Sequence, residues 1–232
     1  MPATLELALF SLFISLVIAI PLGIYAGYKP ESKTSKIIMG GSILGFSMPT
    51  FWVGIIFIMI FAVHLGWLPS TGRGEIGTFF GINSSLFTLN GLSHVFLPAL
   101  NLALFKISSV IRLTRAGTRE IILQDYITFA RSKGLSEKRI VLVHILKNIL
   151  IPIVTVVGLE FGSLIAFSTV TETVFAWPGM GKLIIDSIYN LDRPVIVAYL
   201  MIIVTFFVFL NLIVDILYTF LDPRVRIKGD SQ

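Results

Sequence analysis

Long apolar runs separated by short polar stretches dominate the chain. A membrane-spanning helix needs about 20 mostly apolar residues, because each residue rises about 1.5 Å and the hydrocarbon core is about 30 Å thick. Five runs meet this requirement. They cover approximately Leu5–Tyr28, Ile37–Val63, Leu92–Leu113, Ile149–Thr171 and Val195–Leu221. The pattern predicts an all-α, polytopic membrane protein with about five transmembrane helices, formed by a single domain over residues 1–232.

Composition supports this interpretation. Hydrophobic residues make up 55% of the 232 residues and charged residues 13%, and the mean hydropathy is +0.91. A soluble domain carries about 25% charged residues, so a soluble enzyme, a disordered regulator and a nucleic-acid binder are all disfavoured. The chain has no cysteine, which excludes disulfides, thiolate metal sites and cysteine nucleophiles.

Loop charges predict the orientation, because cytoplasmic loops carry the excess of Lys and Arg. Three lysines follow the first span, eight basic residues lie between the third and fourth spans, and three lie in the C-terminal tail, whereas the opposite side holds only Arg73, Lys182 and Arg193. We therefore expect a cytoplasmic C-terminus and an external N-terminus. An odd number of spans suggests that a preceding span is missing, although this can equally be the natural start.

Ionisable residues inside spans are costly and mark function by default. Glu160 and Asp215 qualify, and Lys106 does so weakly, since it sits toward a cytoplasmic end and can snorkel. For Glu160, lining of a translocation pathway and structural pairing are equally supported, whereas structural pairing is favoured for Asp215. The three histidines are scattered and none has zinc-ligand spacing. We predict no catalytic residue, no metal site and no cofactor bound by this chain.

The segment 114–148 reads as an ordered cytoplasmic structure. Asp125 is the expected N-cap of a short helix, and Gly134 suits its C-terminal end because glycine adopts a positive φ readily. Arg131 and Lys133 occupy the last turn, where they complement the helix dipole. Ser136 is expected to cap a second helix.

The aromatic residues of this short helix, Tyr126 and Phe129, lie outside the spans. Exposed apolar surface of this kind indicates a partner. The alternative, packing against the chain's own helices, is equally supported by composition.

Two external connections are expected. The connection His64–Ser93 is rich in Gly, Ser, Thr and Asn and should be irregular. The connection Glu172–Pro194 contains Trp-Pro-Gly-Met-Gly and then an apolar stretch. It predicts a turn followed by a short helix at the membrane surface.

Four runs of the chain carry a resemblance to one protein family. The run 125–136, continuing through His144 to Pro152, resembles the EAA loop of binding-protein-dependent ABC transporter permeases and is most similar to the DppB/OppB branch for dipeptides, oligopeptides and nickel. Three further runs carry the same resemblance, which covers nearly the whole chain. They are residues 3–8, 172–181 and 211–224.

The resemblance implies a type I ABC importer permease in a prokaryotic cytoplasmic membrane. Its partners would be a second homologous permease, two cytoplasmic ATPase subunits, an external substrate-binding protein and membrane lipid, with no nucleic acid. ATP and Mg would be used by the ATPase subunits. Segment 114–148 would be the coupling segment, with ATPase contacts at Asp125, Tyr126, Phe129, Ala130, Arg131 and Gly134.

The chain departs from the generic pattern at two points. Thr128-Phe129-Ala130 stands where the motif has Glu-Ala-Ala, and the N-terminal span and external segment usual in this branch are absent. Peptide import is the leading hypothesis, with nickel import by the same family as the alternative. An autonomous secondary transporter or channel using Glu160 and Asp215, and a non-transporting membrane scaffold, are the other hypotheses.

Overall fold

The computed structural model describes residues 1–221, without the side chains at 159, 214, 215 and 217–221. Helices account for most of the described residues, which confirms the predicted fold class. Four helical stretches are long and apolar enough to cross a membrane. They are Pro2–Tyr28, Leu89–Ile122, Glu137–Gly158 and Arg193–Ile213. The predicted first, third and fifth spans fall on three of these stretches. The predicted fourth span lies within the helix Leu146–Val174 and overlaps the stretch Glu137–Gly158 at residues 149–158.

The predicted second span is not one helix. The structure divides it into α2 (Lys33–Ser47) and α3 (Thr50–Phe57), and α3 continues into a π-helical turn, Ile58–His64. Pro49 precedes α3 in an extended conformation, with φ −62° and ψ 130°. Proline also disfavours the helical conformation of the residue before it, Met48. The single apolar run therefore contains a break that hydropathy alone does not reveal.

The remaining helices follow the chain in order. They are α1 (Pro2–Tyr28), α4 (Leu89–Ile122), α5 (Asp125–Ser132), α6 (Glu137–Arg139), α7 (Leu146–Val174), α8 (Met180–Tyr189) and α9 (Arg193–Leu221). A second π-helical turn, Ile140–Ile145, joins α6 to α7. The chain forms two compact units, unit 1 with residues 1–15, 47–106 and 161–207, and unit 2 with 16–46, 107–160 and the part from 208.

In unit 2, α1 and α4 approach closely through small residues. A Cβ built on Gly23 would lie 2.5 Å from Thr114 Cβ, and one on Gly27 would lie 2.6 Å from Thr118 Cβ. The two glycines are four residues apart and so share one face of α1. This is the small-residue spacing that lets membrane helices pack backbone to backbone.

In unit 1, the largest fully buried side chains are Trp177 and Phe175. The Trp177 indole donates to the Ala3 carbonyl oxygen at 2.9 Å, and the Met180 N–H donates to Thr4 Oγ1 at 2.8 Å. These bonds join the start of α1 to the turn before α8. The predicted turn and short helix after Glu172 are confirmed in their secondary structure, since α8 begins at Met180.

The connection His64–Ser93 is predicted to be irregular, and part of it is not. Strands β1 (Gly77–Phe79) and β2 (Ile82–Ser84) form an antiparallel hairpin that pairs Thr78 with Asn83 and Phe79 with Ile82. Phe80 and Gly81 form its two-residue turn with φ +48° and +79°. Positive φ at both central residues is the geometry of a tight hairpin turn, which Phe80 does not signal in the sequence.

Candidate functional site

Helix α5 begins one residue earlier than the predicted N-cap implies. Gln124 occupies the N-cap position with extended backbone, and Asp125 is the first helical residue. The expectation that Asp125 caps the helix is therefore wrong. Its carboxylate still lies in the first turn, where negative charge complements the helix dipole.

The C-terminal end of α5 is as predicted at Gly134, whose φ is +75°. The Gly134 N–H donates to the Arg131 carbonyl oxygen at 2.9 Å, and the Leu135 N–H donates to the Ala130 carbonyl oxygen at 3.2 Å. These two bonds form a Schellman motif, in which a left-handed residue satisfies the last carbonyl groups of a helix. They hold α5 as a defined unit rather than a fraying end.

Helix α5 presents one buried and one exposed side. Ile127 is fully buried and Ala130 nearly so, whereas Tyr126 is 43% exposed and Phe129 59% exposed. The chain's own helices therefore cover the two aromatic residues only in part. The aliphatic residues pack within unit 2, where α5 contacts the π-helical turn Ile140–Ile145. Phe129 remains largely uncovered.

Tyr126 is supported by the helix that follows. Asn148 Nδ2 lies 3.3 Å from the Tyr126 hydroxyl, which accepts its hydrogen bond, and the Tyr126 and His144 ring centroids are 6.5 Å apart. Lys133 Nζ lies 4.5 Å from the centroid of the Phe129 ring. We call the exposed surface formed by Tyr126, Phe129 and Lys133 the α5 patch. It combines aromatic area with positive charge.

A side-chain network links α5 to α1. Arg131 Nε donates to Glu137 Oε1 at 3.1 Å, and the Tyr28 hydroxyl donates to Glu137 Oε2. The hydrogen bond with Glu137, followed by the interaction with Tyr28, raises the pKa of Arg131 above its usual value, so the guanidinium stays charged. Tyr28 ends α1, and the network joins residues 109 positions apart. Sequence reasoning missed Tyr28 and the acceptor role of Glu137, because nothing local indicates so distant a contact.

The ionisable residues predicted within spans have different environments. Lys106 is 4% exposed, and its Nζ donates to Ser163 Oγ at 3.0 Å. It is therefore a buried hydrogen-bonded group, which corrects the expectation that it snorkels. Glu160 lies in α7 and is partly buried. The side chain of Asp215 lies outside the described residues.

Two buried carboxylates escaped sequence reasoning as candidate sites. Glu6 accepts from the Arg73 guanidinium and from the Ser85 hydroxyl and N–H. Glu172 is fully buried and accepts from the Lys182 N–H at 3.0 Å, which is an N-terminal donor of α8. Both lie in runs that resemble the permease family, and both stabilise unit 1. Among the described residues, no group of three or more His, Asp or Glu side chains could hold a metal ion.

The fold defines the class of protein. It is similar to the solved inward-facing structure of the MetNI methionine ABC transporter, with a TM-score of 0.71 and 18% identity over 95% of this chain and 93% of that chain. This is the type I ABC importer permease fold. Residues 19–227 match the family described as "Binding-protein-dependent transport system inner membrane component". The chain belongs to this family.

Curated relatives agree over almost the whole chain. The di/tripeptide permease DppB of Pseudomonas aeruginosa is 39% identical over 97% of this chain and 70% of its own length. The oligopeptide permease AppB of Bacillus subtilis is 40% identical over 97% of this chain and 70% of its own length. The dipeptide permease DppB of Haemophilus influenzae is 43% identical over 97% of this chain and 71% of its own length.

Family membership confirms several predictions. The chain is a multi-pass membrane protein and a permease subunit of an ABC importer, and it is a transport subunit rather than an enzyme. An importer of this kind works with ATPase and substrate-binding partners.

Proposed function

We propose that the chain forms part of the pathway for dipeptides or oligopeptides across the prokaryotic cytoplasmic membrane. The supporting observation is that three relatives at 39–43% identity, each matched over 97% of this chain, are named as peptide permeases. Glu160 and Asp215 remain proposed pathway residues. We further propose that the C-terminus is cytoplasmic, because most of the Lys and Arg residues lie on that side.

The α5 patch is the proposed contact with an ATPase subunit. Phe129 and Tyr126 supply exposed aromatic area, and aromatic residues often dominate binding energy at interfaces. Asp125 and Arg131 flank this area at the two ends of α5. Ala130 is buried within the chain, so it supports the helix from behind, and Gly134 ends it.

The network from Arg131 through Glu137 to Tyr28 would transmit the displacement of α5 to α1. ATP and Mg would be bound by the ATPase subunits, and closure of these subunits would move the helix docked on them. A second homologous permease would complete the pathway, and an external binding protein would deliver the peptide.

The decisive experiment replaces Phe129 in the assembled transporter. Truncating an aromatic hot spot costs about 2 kcal/mol or more, so Phe129→Ser should weaken ATPase binding roughly thirtyfold or more. Co-purification of the ATPase subunits and peptide uptake should fall together. Tyr189→Ser is the matched control, because Tyr189 is 84% exposed but lies on α8. Wild-type ATPase binding in Phe129→Ser would overturn the coupling role.

Substrate is tested separately with purified transporter in vesicles. Uptake of a labelled dipeptide that depends on ATP and on the binding protein is the expected result. ATP-dependent uptake of nickel without peptide uptake would replace the proposed substrate and leave the coupling role standing.

A further inference from the structure

An apolar cavity of about 400 Å³ lies in unit 1, beside the N-terminal half of α4. Its walls come from the segment around the π-helical turn Ile58–His64 and from α4. The lining residues are Phe61, Trp67, Leu68, Phe96, Leu97 and Leu100. All six are apolar or aromatic, and the volume falls within the roughly 300–1,000 Å³ of ordinary ligand pockets.

Two backbone N–H groups beside the cavity are hydrogen-bonded within the chain. The N–H groups of Trp67 and Leu68 both donate to the Phe61 carbonyl oxygen, at 2.9 and 3.3 Å. These bonds close the end of the π-helical segment, with Gly66 at φ +62°, and the Trp67 and Phe61 rings lie 6.2 Å apart. The cavity therefore has an apolar wall that suits a hydrocarbon chain rather than a peptide backbone or an ion.

The same face of α4 is exposed above the cavity. Leu89 and Phe96 are seven residues apart and lie on one side of the helix, and they are 87% and 42% exposed. Leu100, a lining residue, continues this face one turn further. Because α4 is a membrane-length helix of a family of inner-membrane proteins, this apolar face is suited to contact with lipid.

The β1–β2 hairpin extends this apolar surface beyond the start of α4. Its two faces differ: Thr78 and Asn83 form a polar pair with a 2.6 Å hydrogen bond, whereas Phe79 opposes Ile82. Phe80 at the turn is 91% exposed. The Phe79 ring lies 5.5 Å from Phe87, which is two residues before Leu89.

Hydrogen bonds hold the hairpin in place over α4. The Glu75 N–H donates to Asn90 Oδ1 at 2.9 Å, and the Thr88 hydroxyl donates to the Glu75 carbonyl oxygen at 2.8 Å. No Asp, Glu, Lys or Arg occurs between Glu75 and Lys106. An uncharged, aromatic-tipped hairpin is suited to the boundary between head groups and acyl chains.

We propose that this cavity binds one acyl chain of an outer-leaflet phospholipid, with the apolar face of the hairpin lying at the level of the lipid glycerol. The lipid would be a retained ligand of the permease, distinct from the transported substrate. The assignment to the outer leaflet rests on the proposed orientation, but the inference does not depend on the substrate being a peptide.

The experiment uses the assembled transporter in native membranes and in detergent. The photoreactive residue p-benzoylphenylalanine is placed at Phe96, and at Leu200 of α9 as a control for ordinary lipid contact, since Leu200 is 52% exposed. Adducts on the permease are identified by mass spectrometry before and after extensive detergent exchange. We expect a lipid adduct at Phe96 to survive exchange and the adduct at Leu200 to be lost.

A second variant fills the cavity, and co-purification of the ATPase subunits shows that the variant still folds. Leu100→Trp should fill the cavity and abolish the retained adduct while the ATPase subunits still co-purify, and Leu200→Trp should leave it intact. Equal loss of adduct at Phe96 and Leu200 on detergent exchange would overturn the proposal, because only surrounding lipid would then be present. A protein adduct at Phe96, from a second permease or the binding protein, would overturn it as well.

The hairpin is tested with the same probe at Phe80 and Thr78, which lie at the turn and on the polar face. A lipid adduct at Phe80 but not at Thr78 is expected in native membranes. Adducts of Phe80 with the external binding protein would assign the hairpin to that protein and overturn its membrane position.

Discussion

Gly134 shows how one residue determines where α5 ends. Its φ of +75° satisfies the last carbonyl groups of the helix, and a Cβ at this position would meet nothing within 4 Å. A substitution at Gly134 would therefore act by straining the backbone at a positive φ, and not by a steric clash with a neighbouring residue. Non-glycine residues pay about 1–2 kcal/mol in the left-handed conformation, with asparagine the best tolerated.

Gly134→Val should loosen the end of α5 and reduce substrate transported per ATP hydrolysed, because β-branched residues strongly disfavour positive φ. The ratio is measured in vesicles containing the complete transporter. Gly134→Asn should retain most of the wild-type ratio, since it changes the side chain but permits the conformation. A wild-type ratio in Gly134→Val would show that coupling does not depend on this helix end.

The buried carboxylate of Glu172 lies at the N-terminal end of α8. Glu172 has no exposure, yet its oxygens accept from the Lys182 N–H and from the Ser168 hydroxyl, at 3.0 and 3.1 Å. Gly179, the N-cap of α8, passes so close that a Cβ there would collide with this carboxylate. The Glu172 carboxylate stabilises the turn because it accepts a hydrogen bond from an N–H group at the start of α8, where Gly179 offers no side-chain cap. This structural role accounts for the burial of Glu172 without a role in transport.

At the scale of elements, the α1–α4 contact decides how closely two helices of unit 2 approach. Gly23 and Gly27 face Thr114 and Thr118 across the contact. Helix packing in membranes gains from van der Waals contact between such small residues, since burial against lipid supplies little driving force. The contact also fixes the end of α1 where the Tyr28 hydroxyl can donate its hydrogen bond to Glu137.

Gly27→Ala should destabilise the detergent-solubilised chain by about 1–3 kcal/mol, the usual cost of overpacking, because its Cβ would collide with Thr118. Gly40→Ala is the matched control: Gly40 is helical and exposed, with nothing within 4 Å of an added Cβ. Alanine there should be neutral or stabilising, since it is the better helix former by about 1 kcal/mol. Stability is measured by denaturant titration. Equal responses of the two variants would contradict the close packing.

At the scale of the whole molecule, the distribution of charge predicts the orientation in the membrane. The natural chain lacks cysteine, so a single introduced thiol reports on one site. Thr78→Cys should react with a membrane-impermeant maleimide in intact spheroplasts. Glu31→Cys, at an exposed position after α1, should react only after permeabilisation. The reverse pattern would invert the proposed topology and remove the α5 patch from the cytoplasm.

Much of the architecture was predictable because membrane helices are defined by long apolar runs. Four of five predicted spans coincide with membrane-length helices, and the end of α5 at Gly134 follows from one local preference of glycine. The break at Pro49 was missed, because apolar residues continue through it. The hairpin turn at Phe80 was missed because its positive φ contradicts the residue's own preference.

The roles of individual polar groups were less predictable. Lys106 was assigned to the span's cytoplasmic end and instead donates a hydrogen bond to Ser163 from a buried position. Asp125 was placed one residue outside the helix that it begins. Periodicity specifies neither the neighbours of a buried side chain nor the exact first residue of a short helix.

The sequence by itself determined the class of molecule, the number of apolar runs, the expected orientation and the position of the short helix α5, since these depend on composition, run length and local backbone preference. Only the tertiary structure decided which side of α5 stays exposed, that Tyr28 reaches Glu137, and that an apolar cavity lies beside α4. The physical reason is that each of these depends on contacts between residues far apart in the chain, and such contacts exist only after the helices have packed.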